Sequence, residues 1–297
     1  MAKRSTALLS PLRYPGSKRR LIPYVKDVLA VNQLHPKLFV EPFAGGASVA
    51  LQLLHDTCVD KIGLADADPL IASFWQCVFF DTEWLIEAIS EMHVSLKRWN
   101  QLKASQPKSA RTQAIKCLYL NRTSFSGILA DTAGPIGGQT QTSEYDIACR
   151  FNPETLIHRI KNIGEFRDKV AFIWACDWKR CIEKTLNRFD DWKLKDLFFY
   201  LDPPFYFKAE RLYSYFFNEQ EHLDLHNLVT KLKAPWLLSY DPAKAIKRLY
   251  RSNGTRPKKV ELIYSITSAG QAPAQELIIS NLVKLPSSSS KPQRQKP

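Results

Sequence analysis

The stretch most able to do chemistry is Asp202-Pro203-Pro204-Phe205, which follows the apolar run 197–201. Two prolines lack N–H donors and push the residues before them into extended geometry, so the chain makes a rigid corner there. That corner offers a carboxylate, proline carbonyls with no competing donor and an aromatic face. It suits a planar ring that carries an amine: Asp202 and the Pro203 carbonyl can accept the amine hydrogens while Phe205 stacks. A carboxylate that merely ends a strand ahead of a proline turn is an equally good reading of these four residues alone.

Two further groups change that balance. Phe43-Ala-Gly45-Gly46-Ala47 lies between a predicted strand and a predicted helix, where glycines let backbone approach a ligand. Twenty-one residues after Gly45 stands Asp66, placed to accept both hydroxyls of a ribose. The glycines do not form Gly-x-Gly-x-x-Gly, which favours an adenosine-type ligand without phosphates over a dinucleotide and disfavours a nicotinamide oxidoreductase. Tyr14 and Lys18 sit in a tight Pro/Gly turn, where Lys18 can pair with a ligand carboxylate. For Lys18 alone, a solvated surface lysine is the default.

The elements that must hold these groups follow from the hydrophobic pattern. Short apolar runs at 37–40, 61–65, 170–175, 197–201 and 236–240 predict buried parallel strands, and 260–266 and 276–283 predict two facing strands. Helical spacing appears at 21–31, 49–54, 70–105, 155–163, 219–233 and 242–250. Strand, glycine turn, helix, strand and acidic residue make half of a doubly wound α/β sheet, whose ligands bind at the carboxyl ends of its strands. All three candidate groups lie at such ends. The aromatics between Phe74 and Trp99 are read as core packing. Residues 131–147 are rich in Gly, Thr and Gln and predict an exposed loop or hairpin. The 286–297 segment is a low-complexity basic tail, expected to be disordered.

Composition sets the remaining bounds. In 297 residues, 42 Lys+Arg against 29 Asp+Glu give a net charge of +13, which fits a polyanionic partner such as nucleic acid. The six cysteines form no Cys-x-x-Cys, and the six histidines suggest no ligand geometry, so no metal site is expected. The cations and short apolar patch at the N-terminus are too short for a signal segment, and no run reaches the length of a membrane span. A cytoplasmic protein with reduced thiols is expected.

With these residues in place, the chain over 12–283 resembles the Dam-type DNA adenine-N6 methyltransferases. Six blocks carry the resemblance in family order: Arg13-Tyr-Pro-Gly-Ser-Lys18, Glu41-Pro-Phe-Ala-Gly-Gly46, Leu64-Ala-Asp66, Leu118-Tyr-Leu-Asn-Arg-Thr123 with Phe125 and Gly127, Asp202-Pro-Pro-Phe205, and Glu276-Leu-Ile-Ile-Ser-Asn281. The resemblance implies a Rossmann-like methyltransferase fold with a mostly parallel sheet and an inserted, mainly helical target-recognition domain. Its parts are expected at 1–74 (catalytic core, first part), 75–154 (recognition), 155–285 (core, second part) and 286–297 (tail). It implies S-adenosylmethionine as cofactor, held by Tyr14, Lys18, Glu41, Phe43, Gly45, Gly46, Asp66, Asp177 and Trp178. Asp202, Pro203, Pro204 and Phe205 form the catalytic corner for an adenine flipped out of duplex DNA. Arg122, Ser124, Ser126 and Gly127 are the expected DNA contacts. A monomer is expected, with a cognate restriction endonuclease as a further partner. The alternatives are an N4-cytosine or RNA amine methyltransferase and a catalytically silent nucleic-acid-binding relative. Family members that read GATC have asparagine where Ser126 stands and arginine where Ala130 stands, so another target sequence is expected.

Overall fold

The computed structural model describes residues 9–14, 16–206, 215–251, 257–262 and 274–287. The first half contains α1 (Ile22–Val31), β1 (Leu38–Glu41), α2 (Ser48–His55), β2 (Lys61–Asp66), α3 (Pro69–Phe80), α4 (Thr82–Ser90), α5 (Leu96–Ala104) and α6 (Ala110–Thr123). The second half contains α7 (Pro153–Gly164), β3 (Val170–Ala175), α8 (Trp178–Arg188), β4 (Leu197–Leu201), α9 (Glu219–Val229), β5 (Trp236–Tyr240), α10 (Lys244–Arg251), β6 (Lys258–Leu262) and β7 (Ala274–Ser280).

The strands form one mixed sheet in the order β3-β2-β1-β4-β5-β7-β6. The first five are parallel, whereas β7 runs antiparallel to both β5 and β6. Alternation along the strands feeds two cores. Phe39, Phe198, Tyr200 and Leu237 pack with α1, α2 and α3 on one face. Leu38, Val40, Leu197, Phe199, Leu201, Trp236 and Leu238 pack with α8, α9 and α10 on the other. A strand covered on both faces must be apolar throughout, which is why these runs read as uninterrupted hydrophobic segments.

The order reverses between β1 and β4, which pair directly through Leu38–Leu197, Phe39–Phe198 and Val40–Phe199. The chain leaving β1 turns toward β2, and the chain leaving β4 turns toward β5. The two departing loops therefore part and open a crevice at the carboxyl rim.

Some element bounds differ from those expected. The helical stretch 70–105 is three helices, because Asp81 interrupts it and Ser95 starts a fresh helix by accepting from Arg98 N at 3.2 Å. Positions 74/75 and 154/155 lie within α3 and α7, and Leu85, Trp99 and Leu118 are buried in one cluster with residues of the sheet; the division into core and recognition parts belongs to the proposal below. The helix predicted to reach 233 stops at Val229. Residues 131–147 form a loop, as expected, with an isolated bridge from Pro135 to Ser124. Gln141 stitches it, its amide donating to the Ile136 and Gly138 carbonyls and its oxygen accepting from Ile147 N. Residues 263–266 of the expected sixth strand and 288–297 of the tail lie outside the described residues.

Candidate active site

The crevice between β1 and β4 is a cleft of about 200 Å³. Tyr14, Lys18, Glu41, Phe43, Gly45, Gly46, Asp66, Asp177, Trp178, Asp202 and Pro204 all line it. Asp66 and Asp202, separated by 136 positions in sequence, thus face one cavity because β2 and β4 flank β1.

The glycine loop is held from three sides. Asp66 Oδ2 accepts from Gly45 N at 2.9 Å, Ala65 O accepts from Ala44 N at 2.9 Å, and Trp75 Nε1 donates to Gly45 O at 2.9 Å. Gly45 adopts φ +43°, and a Cβ there would stand 2.7 Å from the Tyr14 ring. Only glycine fits against that tyrosine. Ala47 also lies in the left-handed region, at φ 48°, and gives α2 no side-chain cap. Glu41 supplies the cap instead: buried at the end of β1, it accepts from Ala50 N at 2.8 Å. On the far wall Asp177 caps α8 by accepting from Arg180 N at 2.8 Å, and Phe217 packs between Phe43 and Trp178, at 5.7 and 6.2 Å between ring centroids.

The corner after β4 is anchored by polar contacts on one carboxylate oxygen. Asp202 Oδ1 accepts from Lys18 Nζ at 3.0 Å and from Ser239 Oγ at 2.9 Å, and Ser239 Oγ is also 3.0 Å from Tyr200 Oη. Among the described residues Asp202 Oδ2 takes no hydrogen bond, so one oxygen remains to accept from a ligand. Lys18 Nζ stands 5.1 Å from the Phe205 ring centroid and 3.5 Å from Glu276 Oε1. Lys18 is therefore buried in an ion pair; the surface default for this lysine is corrected.

Electrostatically the cleft is an acidic pocket drawn away from water. Burial pushes Glu41 up to about 8 and Glu276 up to about 7, and burial together with the Asp68 charge brings Asp66 to about 7. Asp202 is raised by burial, with Lys18 and Ser239 pulling it back. Desolvated carboxylates of this kind gain most from a cationic ligand, which restores the interactions they lost.

The residues expected at DNA lie elsewhere, around the turn after α6. Ser126 is exposed at φ 55° beside the exposed Phe125. Ser124 and Gly127 are buried: Ser124 Oγ accepts from Trp99 Nε1 at 3.1 Å, and a Cβ on Gly127 would come within 2.3 Å of Arg13 O. In this conformation those two support the turn from inside rather than presenting a surface. Asn121 locks the turn to the chain entering the cleft, accepting from Arg13 N and donating to Arg13 O (both 2.7 Å), and donating to Gly127 O at 2.9 Å. Among the described residues Arg122 makes no ion pair with an acid. Burial and the charges of Arg13, Arg159 and Arg150 push it down to about 10, and its Nε is shut from solvent with no hydrogen-bond partner, as is Arg13 Nη1.

Sequence reasoning missed Trp75, Ser239, Phe217, Arg13 and Glu276. Glu276 and Arg13 stood within the six motif blocks, but nothing local indicated what they would meet. Among the described residues no group of His, Cys, Asp and Glu could hold a metal ion, and no helix is long and apolar enough to cross a membrane. A family model described as D12 class N6 adenine-specific DNA methyltransferase matches residues 14–266. No curated protein matches the chain.

Proposed function

The chain belongs to the D12 class N6 adenine-specific DNA methyltransferases, and from that premise we propose that its cleft binds S-adenosylmethionine and receives an adenine turned out of the duplex. Family membership gives the base as adenine and the substrate as DNA, which leaves the N4-cytosine and RNA alternatives without support.

The residues present fit that cofactor. A cationic sulfonium and ammonium suit a pocket where Glu41, Asp66 and Asp202 have all been pushed up by burial. Gly45 and Gly46 line the cleft without side chains, so a ligand can approach their backbone, Asp66 offers acceptors for a ribose, and Phe43, Trp178 and Phe217 offer an apolar wall for a base. Asp177, beside Trp178 at the start of α8, joins the same set. Bound there, S-adenosylmethionine supplies an electrophilic methyl group.

The corner then acts on the target amine. Asp202 and the Pro203 carbonyl accept its two N–H hydrogens, which localises the nitrogen lone pair otherwise delocalised into the ring. Phe205 stacks on the ring, and Pro204 stiffens the turn. Turning the base out costs a few kcal/mol of unstacking. Positioning and oriented acceptors supply the acceleration.

We place target recognition between α3 and α7, with Arg122, Ser126 and the neighbouring arginines toward DNA, Ser124 and Gly127 shaping the turn, and a recognition sequence other than GATC. Ala130 is buried, and its carbonyl accepts from Lys103 Nζ at 2.7 Å. The enzyme is proposed to act in the cytoplasm as a monomer, alongside a cognate restriction endonuclease.

The observation that carries this reading is the convergence of the Gly45 loop, Asp66 and Asp202 on one cleft at the sheet's reversal point. Labelled methyl transfer to unmethylated genomic DNA tests it. The wild type deposits N6-methyladenine, and Asp202→Ala lowers turnover by at least about 10²-fold with S-adenosylmethionine binding retained. Wild-type turnover in that variant removes Asp202 from the catalytic role.

A further inference from the structure

The antiparallel end of the sheet brings another carboxylate to the rim. Because β7 runs opposite to β5, its early residues lie beside the last residues of β5, with Leu277 facing Tyr240. Glu276, one step earlier, sits level with the end of β5 and reaches the turn before α1. Its Oε1 is 3.5 Å from Lys18 Nζ, while Oε2 is shut from solvent without a hydrogen-bond partner. An unpaired buried carboxylate oxygen is destabilising, so packing alone gives no reason for an acid here.

Lys18 explains its presence. Among the described residues the acceptors around the ammonium include Asp202 Oδ1 at 3.0 Å, Gly16 O at 3.3 Å and Glu276 Oε1 at 3.5 Å. Its stem comes from the 3₁₀ turn Lys18–Leu21, and the acceptors come from that turn, from the end of β4 and from β7. The lysine is thus held between two carboxylates delivered by different strands.

We propose that Glu276 is a positioning residue for methyl transfer: by sharing the Lys18 ammonium with Asp202, it fixes where that ammonium stands and so how the Asp202 carboxylate is aimed at the target amine. The inference rests on the reading of Asp202 as the amine acceptor. Among the described residues the charged and titratable groups coupled to Glu276 are Lys18, Asp202, the Tyr200 phenol and Asp241, the last in the turn after β5. Burial, Asp202 and Asp241 push Glu276 up and Lys18 pulls it down, which leaves its ionisation at about 7. The ionised form holds Lys18 more strongly. Turnover therefore rises as pH passes upward through that ionisation.

The experiment compares wild type, Glu276→Ala, Glu276→Gln and Asp202→Ala, measuring kcat, the KM for S-adenosylmethionine and the pH profile on unmethylated genomic DNA. Thermal midpoints and cofactor Kd values establish that each variant is folded. Glu276→Ala lowers kcat by roughly 10–100-fold, the scale expected for a misplaced reacting group, with little change in KM for the cofactor. Glu276→Gln keeps an acceptor for Lys18, recovers that loss only to the level the wild type shows below the ionisation of Glu276, and lacks the further rise that the ionisation gives the wild type. A Glu276→Ala variant with wild-type kcat and an unchanged inflection overturns the inference. So does an equal loss in both Glu276 variants with the inflection retained. If Asp202→Ala itself turns over like wild type, the underlying site reading falls and the inference with it. Loss in Asp202→Ala but no effect at Glu276 sinks the inference alone.

Discussion

The cleft and the flank beside it meet at residues 13–18 and treat charge in opposite ways. In the cleft Glu41, Asp66 and Asp202, and behind Lys18 Glu276, are carboxylates drawn in from water, each with its ionisation raised. On the flank, Arg13, Arg122 and Arg159 are lowered by burial, and nearby guanidinium groups lower them further. The residues preceding the flank, 1–8, contain no acid. Tyr14 and Lys18 turn into the first region while Arg13 belongs to the second. A net charge of +13 conceals this division. Each region is desolvated without full internal compensation, and on the proposed reading each meets a ligand that supplies what it lacks: a sulfonium cation and an amine donor in one, phosphates in the other.

Substitutions that spare one region and damage the other test the division. The largest effect is expected at Asp66. Asp66→Ala removes acceptors for the cofactor and the anchor of Gly45 N, so the Kd for S-adenosylmethionine weakens about 10–100-fold, the equivalent of one charged hydrogen bond. Binding to DNA without cofactor, read by fluorescence anisotropy, should hold. Arg122→Met comes next and acts in the opposite sense. DNA affinity falls, and the slope of log affinity against log salt shrinks by about 0.9, one phosphate contact. The free protein should melt no lower than wild type, because a buried guanidinium without an acidic partner contributes little to stability. A large drop in melting temperature with an unchanged salt slope would give Arg122 a structural role instead.

A smaller effect concerns pH. Glu41, Asp66 and Glu276 hold their protons more tightly folded than unfolded, with ionisations at about 8, 7 and 7. Their contribution is fully present below the ordinary carboxylate range and is lost as pH rises through 7 to 8. The melting temperature of the ligand-free protein should fall across that window, and Glu41→Gln should flatten the decline; a flat wild-type profile contradicts the acidic-pocket description. The smallest effect is at Ala47, whose φ of 48° suits glycine. Ala47→Gly should stabilise by up to about 1 kcal/mol in urea unfolding, the strain relieved being partly offset by chain entropy.

Much of this was legible because buried parallel strands write themselves as apolar runs. The strands at 170–175, 197–201 and 236–240 fall where the pattern put them, and the carboxyl-end rule gathered Gly45, Asp66 and Asp202. What stayed hidden depended on which distant charges meet. Periodicity reports whether a residue is buried, not what it is buried against. Lys18 read as a solvated lysine or a partner for a ligand carboxylate, yet two strands deliver acids to it. Arg13, Arg122, Arg150 and Arg159 look unrelated in sequence and gather only through tertiary packing. Trp75 belonged to a helical aromatic run, and nothing in its spacing revealed that its indole would hold the Gly45 carbonyl.

The joint made by Asn121 and Gly127 on the backbone of residue 13 has a practical side. With no room for even a methyl group between that glycine and its neighbour, the two segments must be inherited or transplanted as a pair. Attempts to redirect such an enzyme by exchanging cassettes should therefore cut downstream of residue 127 and leave the joint untouched.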